Sequence, residues 1–161
     1  MLKFLNKKKK DNKGFSLVEL IIVVAIMAIL VGLLAPQYIK YVEKSRKSAD
    51  ASNLSEMVNA VQIYAADAES SLPAGTYTIE ISKTGTTISD GVKAAVAETA
   101  PDYANTKLKS SKWGESDSEP NIKADIVVDS EGGTKVTYSP KKLRDFINNK
   151  ATTQAANQAG N

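Results

Sequence analysis

One carboxylate, Glu19, lies inside a run of 21 otherwise uncharged residues, 15–35, which reads FSLVELIIVVAIMAILVGLLA. A charged side chain in an apolar environment is costly, by about 2.5–3.5 kcal/mol at the centre of a bilayer. Where water is excluded, a carboxylate needs a positively charged or hydrogen-bonding partner. The first chemical hypothesis is therefore that Glu19 forms a charge pair.

The composition of the chain removes most catalytic chemistry. There is no Cys and no His, which excludes disulfides, thiolate metal sites, Cys nucleophiles and the usual general base. Among the remaining residues, no pair of carboxylates, no nucleophile beside a base and no phosphate-binding loop stands out. We therefore predict that the chain is not an enzyme and that it has no catalytic residues, metal or cofactor.

Charge and hydropathy divide the chain into three unlike segments. Residues 1–14 hold six lysines and one aspartate, a net charge of +5, although all 161 residues carry only +3. Residues 15–35 form the apolar run; as a helix they would extend about 31 Å, close to the ~30 Å of a bilayer core. Residues 36–161 are mixed and polar, as in a solvated domain. The lysines before the apolar run predict a cytoplasmic N-terminus and an external domain.

Three simpler interpretations of the apolar run explain it less well. A buried core helix is disfavoured because residues 20–35 are uninterrupted by any polar side chain. A secretory signal peptide would be shorter and would end in a small-x-small site, whereas Pro36 directly follows Ala35. A plain signal anchor fits the length but leaves Glu19 unexplained.

The boundary between the first two segments reads Lys13-Gly14-Phe15-Ser16-Leu17-Val18-Glu19. This resembles the class III signal of type IV prepilins: a basic leader, Gly, a hydrophobic first mature residue that is usually Phe, and Glu at the fifth mature position. The following LIIVVAIMAILVGLLAPQY resembles the N-terminal helix of that family, with a proline where pilins commonly carry one. The resemblance covers residues 10–41, about a fifth of the chain.

The resemblance implies a processing site and an assembly site. A membrane-embedded prepilin peptidase would cut between Gly14 and Phe15 and would N-methylate the new amine of Phe15. Glu19 would pair with the Phe15 amine of a neighbouring subunit, and the two residues share a helix face at i and i+4. Gly32 and Pro36 would mark a kink, or a stretch that unwinds on assembly, because proline cannot donate the helical hydrogen bond.

The family fold is α+β, with a long N-terminal helix packed on a small antiparallel β-sheet. The first half of that helix is apolar and the second half amphipathic, and we expect it to run from Phe15 to about Ala68. Its second half carries an apolar stripe at helical spacing, formed by Leu54, Met57, Val58, Val61, Tyr64, Ala65 and Ala68.

Shorter elements are predicted after the breaker cluster at residues 70–75. Period-two alternation predicts one strand at Thr76–Ser82 and a hairpin of Ile122–Asp129 with Thr134–Tyr138. Helical patterns cover residues 91–100 and Lys141–Asn148. The second of these helices has Leu143, Phe146 and Ile147 as its buried face. Residues 102–120 are predicted to form a loop in which Trp113 packs into the core or a crevice.

The domain organisation follows from these segments. We assign residues 1–14 to a cytoplasmic leader and 15–35 to a transmembrane and filament-core helix. Residues 36–149 form an extracellular domain, and residues 150–161 form a flexible tail with almost nothing to bury.

Two kinds of charged cluster are interpreted as solvated surface. There are two acidic clusters, Glu115, Asp117 and Glu119, and Asp125, Asp129 and Glu131. Such clusters could bind calcium, as the major pseudopilins do, but neither cluster matches an EF-hand spacing. There are two basic clusters, Lys40, Lys44, Arg46 and Lys47, and Lys141, Lys142 and Arg144. Such clusters could bind DNA, but we do not expect nucleic acid as a partner.

The resemblance predicts a structural subunit of a type IV pilus, a major pilin, serving adhesion, motility or biofilm formation. Expected partners are further copies of the chain, the prepilin peptidase and N-methyltransferase, a membrane assembly platform with its cytoplasmic ATPase, and the membrane before assembly. The precursor would be a single-pass membrane protein and the assembled form an extracellular filament. The absence of a disulfide favours a Gram-positive source. Alternatives are a pseudopilin of a type II secretion or DNA-uptake system, and an enzyme or receptor domain on a signal anchor.

Overall fold

The computed structural model describes residues 14–67, 72–114 and 121–158. The chain divides into two compact units, Met1–Tyr41 and Val42–Asn161. Helix α1 (Leu17–Ala66) begins in the first unit and ends in the second. It starts two residues after the expected Phe15, and it ends at Ala66, before the predicted end at Ala68.

The second unit contains a four-stranded sheet formed by β1 (Gly75–Ile81), β2 (Thr86–Ile88), β3 (Ile122–Val128) and β4 (Thr134–Ser139). Its order is β2-β1-β3-β4, and every neighbouring pair is antiparallel. The α+β prediction is confirmed, including the β3–β4 hairpin. Strand β2 was missed, because three residues are too short for alternation to be visible.

Two further helices pack in the same unit. Helix α2 (Lys93–Thr99) follows a single 3-10 turn at Asp90–Val92, close to the predicted helix at 91–100. Helix α3 (Lys141–Gln158) begins as predicted but continues past the expected end at Asn148. The predicted end is wrong because residues 149–158 contain neither Gly nor Pro to stop a helix.

The core lies between the second half of α1 and one face of the sheet. The predicted stripe of α1 is buried at Leu54, Met57, Val58, Val61 and Ala65. It meets alternate residues of the sheet that are equally buried, as their period-two spacing predicts: Ile79, Ile81, Ile122, Ala124, Ile126 and Val128. Leu143 of α3 is fully buried, and Phe146 and Ile147 pack against the same core, so the predicted α3 face is confirmed.

The β3–β4 turn lies against the end of α1. Gly132 has a φ of +79°, and a Cβ at this position would lie 2.5 Å from the carbonyl oxygen of Ala65. Glycine is required here both by the left-handed backbone and by the close approach. A side-chain hydrogen bond of 3.0 Å from Gln62 Nε2 to Thr134 Oγ1 joins the same two elements.

Candidate functional site

The residues of the predicted processing site precede the first helical turn. Gly14, Phe15 and Ser16 have no regular secondary structure, and α1 begins at Leu17. The side chain of Phe15 is 90% exposed, and a Cβ built at Gly14 would meet no heavy atom within 4 Å. Packing within the described residues therefore does not require glycine at position 14.

Ser16 and Glu19 form a reciprocal cap at the start of α1. The backbone N–H of Ser16 donates to Glu19 Oε2 at 2.9 Å, and the backbone N–H of Val18 donates to Ser16 Oγ at 3.3 Å. The first helical bond follows, from Leu20 N–H to the Ser16 carbonyl at 3.1 Å. Two backbone donors that a helix start leaves without partners are thus satisfied by side chains.

This capping role of Glu19 was not predicted, although the sequence carries its signal. Ser-x-x-Glu directly before an apolar run is the pattern of a capping box. The structure places one carboxylate oxygen of Glu19, Oε2, at the helix start. No hydrogen bond to the other oxygen, Oε1, occurs among the described residues.

The first half of α1 presents apolar side chains on all sides. Among the helices of the described residues, one, α1, is long and apolar enough to cross a membrane. Its most apolar stretch has a mean hydropathy of 3.1, and no part of that stretch is buried. Length and composition alone support this assignment. Such a surface is unstable in water and requires lipid or protein to cover it.

Gly32 and Pro36 lie within this first half, and α1 continues through both. A Cβ at Gly32 would meet no heavy atom within 4 Å outside the local helix backbone. Unwinding at these two residues stays a prediction.

A second polar cluster, unpredicted, lies in the second unit around Asp50, which is 1% exposed. Asp50 Oδ1 accepts the backbone N–H of Lys109 at 2.8 Å. Its Oδ2 accepts the N–H of Ser110 at 2.9 Å and Nε1 of Trp113 at 3.0 Å. Ser110 Oγ also donates to Glu43 of α1. These bonds fasten the loop before β3 to α1.

Trp113 is fully buried at the centre of this cluster, which confirms the prediction that it packs in the core. Its ring meets Phe146 edge-on, with 5.7 Å between centroids, and Lys47 Nζ lies 5.0 Å from the Trp113 centroid. Burial lowers the pKa of Lys47, and nearby Lys142 and Lys112 lower it further, while Glu43 acts in the opposite direction. The cluster is satisfied internally, so we assign it a structural role.

The two acidic clusters were interpreted as solvated surface, and among the described residues no group of three acidic side chains could hold a metal ion. Asp125 instead accepts Thr78 Oγ1 at 2.8 Å and pairs with Lys123 at 2.9 Å. Asp129 Oδ1 accepts two backbone N–H groups of the β3–β4 turn, those of Glu131 and Gly133. The cluster of Glu115, Asp117 and Glu119 lies outside the described residues, as do the lysines of the leader.

The basic groups predicted from sequence occupy two helices. Lys40, Lys44, Arg46 and Lys47 lie on α1, and Lys141, Lys142 and Arg144 lie on the first turn of α3. Lys142 donates to the carbonyl of Gly114 at 2.6 Å. Because Lys47 covers Trp113 and Lys142 binds the backbone, these two lysines contribute to the packing around the buried loop.

A comparison with protein families matches residues 9–35 to the prokaryotic N-terminal methylation motif. The match contains the predicted cleavage residues, Glu19 and the apolar run. Searches among curated proteins and among solved structures return no significant match. The methylation motif at residues 9–35, together with a long N-terminal helix on a four-stranded antiparallel sheet, supports a type IV pilin-like prepilin.

Proposed function

We propose that this chain is a structural subunit of a type IV pilus, assembled through the first half of α1 into an extracellular filament for adhesion, motility or biofilm formation. The observation that carries the proposal is the exposed apolar helix surface that the methylation motif, residues 9–35, contains. That surface needs a cover, which lipid supplies to the precursor and other copies supply to the filament.

Processing is the first step of the proposal. The prepilin peptidase cuts between Gly14 and Phe15, and the new amine of Phe15 is N-methylated. The bond to be cut lies before the capped helix start, in a segment without regular secondary structure. Because glycine at position 14 is not needed for packing, its role is to admit the peptidase to the backbone.

Assembly is the second step, and Glu19 sets the stagger between subunits. Lipid tails are as apolar as the side chains of the helix, so tight packing and polar contacts must supply the gain on leaving the membrane. Ser16 N–H holds Glu19 Oε2 at the helix start. In the filament, Oε1 would then accept from the methylated Phe15 amine of a neighbouring copy. A platform protein and a cytoplasmic ATPase drive the extraction.

The processing step is tested by mass spectrometry of the chain from cells. We expect a mature N-terminus at methylated Phe15, and we expect Gly14→Asp to leave the leader attached because the side chain blocks the peptidase. A chain that retains residues 1–14 in the wild type would refute processing and favour a receptor or enzyme domain on a plain anchor.

The assembly step is tested by electron microscopy of cell-surface filaments. Glu19→Val should be processed but should reduce filaments at least about tenfold, since each charge pair lost removes energy at every subunit contact. Glu56→Val, an exposed position in the second half of the same helix, is the matched control and should assemble normally.

Abundant filaments from Glu19→Val would overturn the pairing. Processed wild-type protein without surface filaments, combined with a secretion or DNA-uptake defect on gene deletion, would place the chain among the pseudopilins instead.

A further inference from the structure

Two grooves open on the surface of the second unit, at different levels of α1. The basic groove lies between α1 and α3, has a volume of about 450 Å³ and is lined by Lys44, Ser48, Phe146, Asn149 and Lys150. The acidic groove lies between the end of α1 and α2, has a volume of about 300 Å³ and includes Ile63, Tyr64, Asp67, Glu98 and Thr99. The two grooves differ in the sign of their charge.

The basic groove is rimmed by lysines above an apolar floor. Lys44 and Lys150 are exposed, and no hydrogen bond or ion pair joins either side chain to the rest of the described chain. Further positive charge lies near Lys47, one helical turn after Lys44, because Lys142 and Lys112 both lower the pKa of Lys47 by charge repulsion. The half-buried ring of Phe146 is the apolar side chain of the lining and forms the apolar floor.

The acidic groove has the complementary construction. Two carboxylates, Asp67 and Glu98, line it, and no lysine or arginine does. Glu98 is exposed and makes no ion pair within the described residues. Ile63 is 73% exposed, which presents a large apolar side chain beside these carboxylates.

We propose that the acidic groove of one copy docks on the basic groove of the next, with Ile63 entering the apolar floor beside Phe146 and Glu98 facing Lys44 and Lys150. Opposite charge around an apolar centre is the arrangement that orients two surfaces in a specific contact. Because both grooves belong to one chain, the partner with matching chemistry is a second copy.

The two grooves lie at well-separated positions along α1. Lys44 and Ile63 are 19 residues apart on α1, which corresponds to about 28 Å along the helix. Two different patches on one molecule form a heterologous contact, and such contacts generate filaments when they do not close into a ring. This inference rests on the proposed filament and names the surface through which the outer domains join.

Charge reversal in cells producing the full chain is the first test. Glu98→Lys and Lys44→Glu should each reduce the yield of sheared filaments about tenfold, because like charges then face one another. The double variant should restore the yield. Glu131→Lys, an exposed acidic residue of the β3–β4 turn, is the matched control and should assemble as the wild type does.

Crosslinking is the second test, and the chain has no native Cys to interfere. Membranes and filaments containing Lys44→Cys/Glu98→Cys are treated with a short thiol-specific crosslinker. We expect a ladder of multimers, whereas a mixture of the two single variants should give only dimers. The separation of the grooves excludes a short bridge within one chain.

The outcomes separate this contact from the proposed pilus role. Wild-type filaments that survive all reversals, with no crosslinked ladder, overturn the contact but leave the pilus. A ladder in membranes without any filament supports the contact and refutes the pilus. Loss of filaments on Lys44→Glu but not on Glu98→Lys overturns docking of a second copy and assigns the basic groove to another anionic partner, such as lipid phosphate.

Discussion

The two halves of α1 form one continuous helix yet have opposite surroundings. In the first half, to Tyr41, large apolar side chains are exposed on every side, as Leu34 is at 63%. In the second half, from Val42, one stripe is buried in the core of the second unit, as Leu54 is at 0%, while the exposed side is mostly polar, with Ile63 as its only large apolar side chain.

The difference lies in where each half finds its partner. The second half is amphipathic, so its apolar stripe is satisfied by the sheet of its own chain. The first half is apolar all round and no element of the described chain covers it, so its partner must be lipid or another molecule. The part of the helix that stabilises the domain is therefore distinct from the part that carries the methylation motif.

The largest expected difference between the halves comes from one substitution made twice. Leu54→Ala should destabilise the folded domain by about 2–5 kcal/mol, because it removes fully buried methyl groups and leaves a cavity. Leu34→Ala is the same chemical change on the same helix and should leave domain unfolding unchanged. Denaturant unfolding of the full chain in detergent micelles, followed by circular dichroism, measures both.

Equal destabilisation by the two substitutions would break the comparison. It would mean that the first half of α1 contributes to the fold of the domain as much as the second half does.

A smaller effect is expected at Asp50, which fastens the loop to the buried half. Asp50→Ala leaves the backbone N–H groups of Lys109 and Ser110 and the indole N–H of Trp113 without an acceptor. We expect the free energy of unfolding to fall by at least about 1–3 kcal/mol, which is the cost of leaving one buried donor unpaired. Asp50→Asn keeps one acceptor oxygen and should lie between this variant and the wild type. An unfolding curve of Asp50→Ala that superimposes on that of the wild type would show that the cluster does not contribute to domain stability.

The smallest effect is expected at the start of the exposed half. Ser16→Ala removes the acceptor of the Val18 N–H and should weaken the first turn of α1 by about 1 kcal/mol. Hydrogen exchange in micelles should show faster exchange at Val18 and Leu20, with no change in domain unfolding. Faster domain unfolding or a lower domain midpoint would show instead that the two halves are energetically coupled.

Periodicity and local motifs predicted most of the elements. Alternation located β1, β3 and β4 to within a residue or two, and three-four spacing identified the buried stripe of α1. The methylation motif, from which the processing residues are proposed, is local, and a single sequence displays it in full. Such features can be predicted from one sequence because they depend on residues that are close together along the chain.

The features that were missed depend on distant residues or on weak local signals. The pairing of β1 with β3 joins segments separated by about 40 residues, and Asp50 meets Trp113 across 63 positions. No local pattern marks either contact. By contrast, the Ser16–Glu19 cap could have been predicted from the Ser-x-x-Glu pattern. The length of α3 was underestimated because the low apolar content of its second half was taken as evidence against a helix.

Trp113 is the single tryptophan of the chain, and it is fully buried between Phe146 and Lys47 with its indole N–H held by Asp50. All indole fluorescence of the protein therefore originates from one site in the second unit. Its emission will shift to the red when the loop leaves α1 and water reaches the ring. The protein thus contains an intrinsic optical reporter of the second unit, which needs no added label.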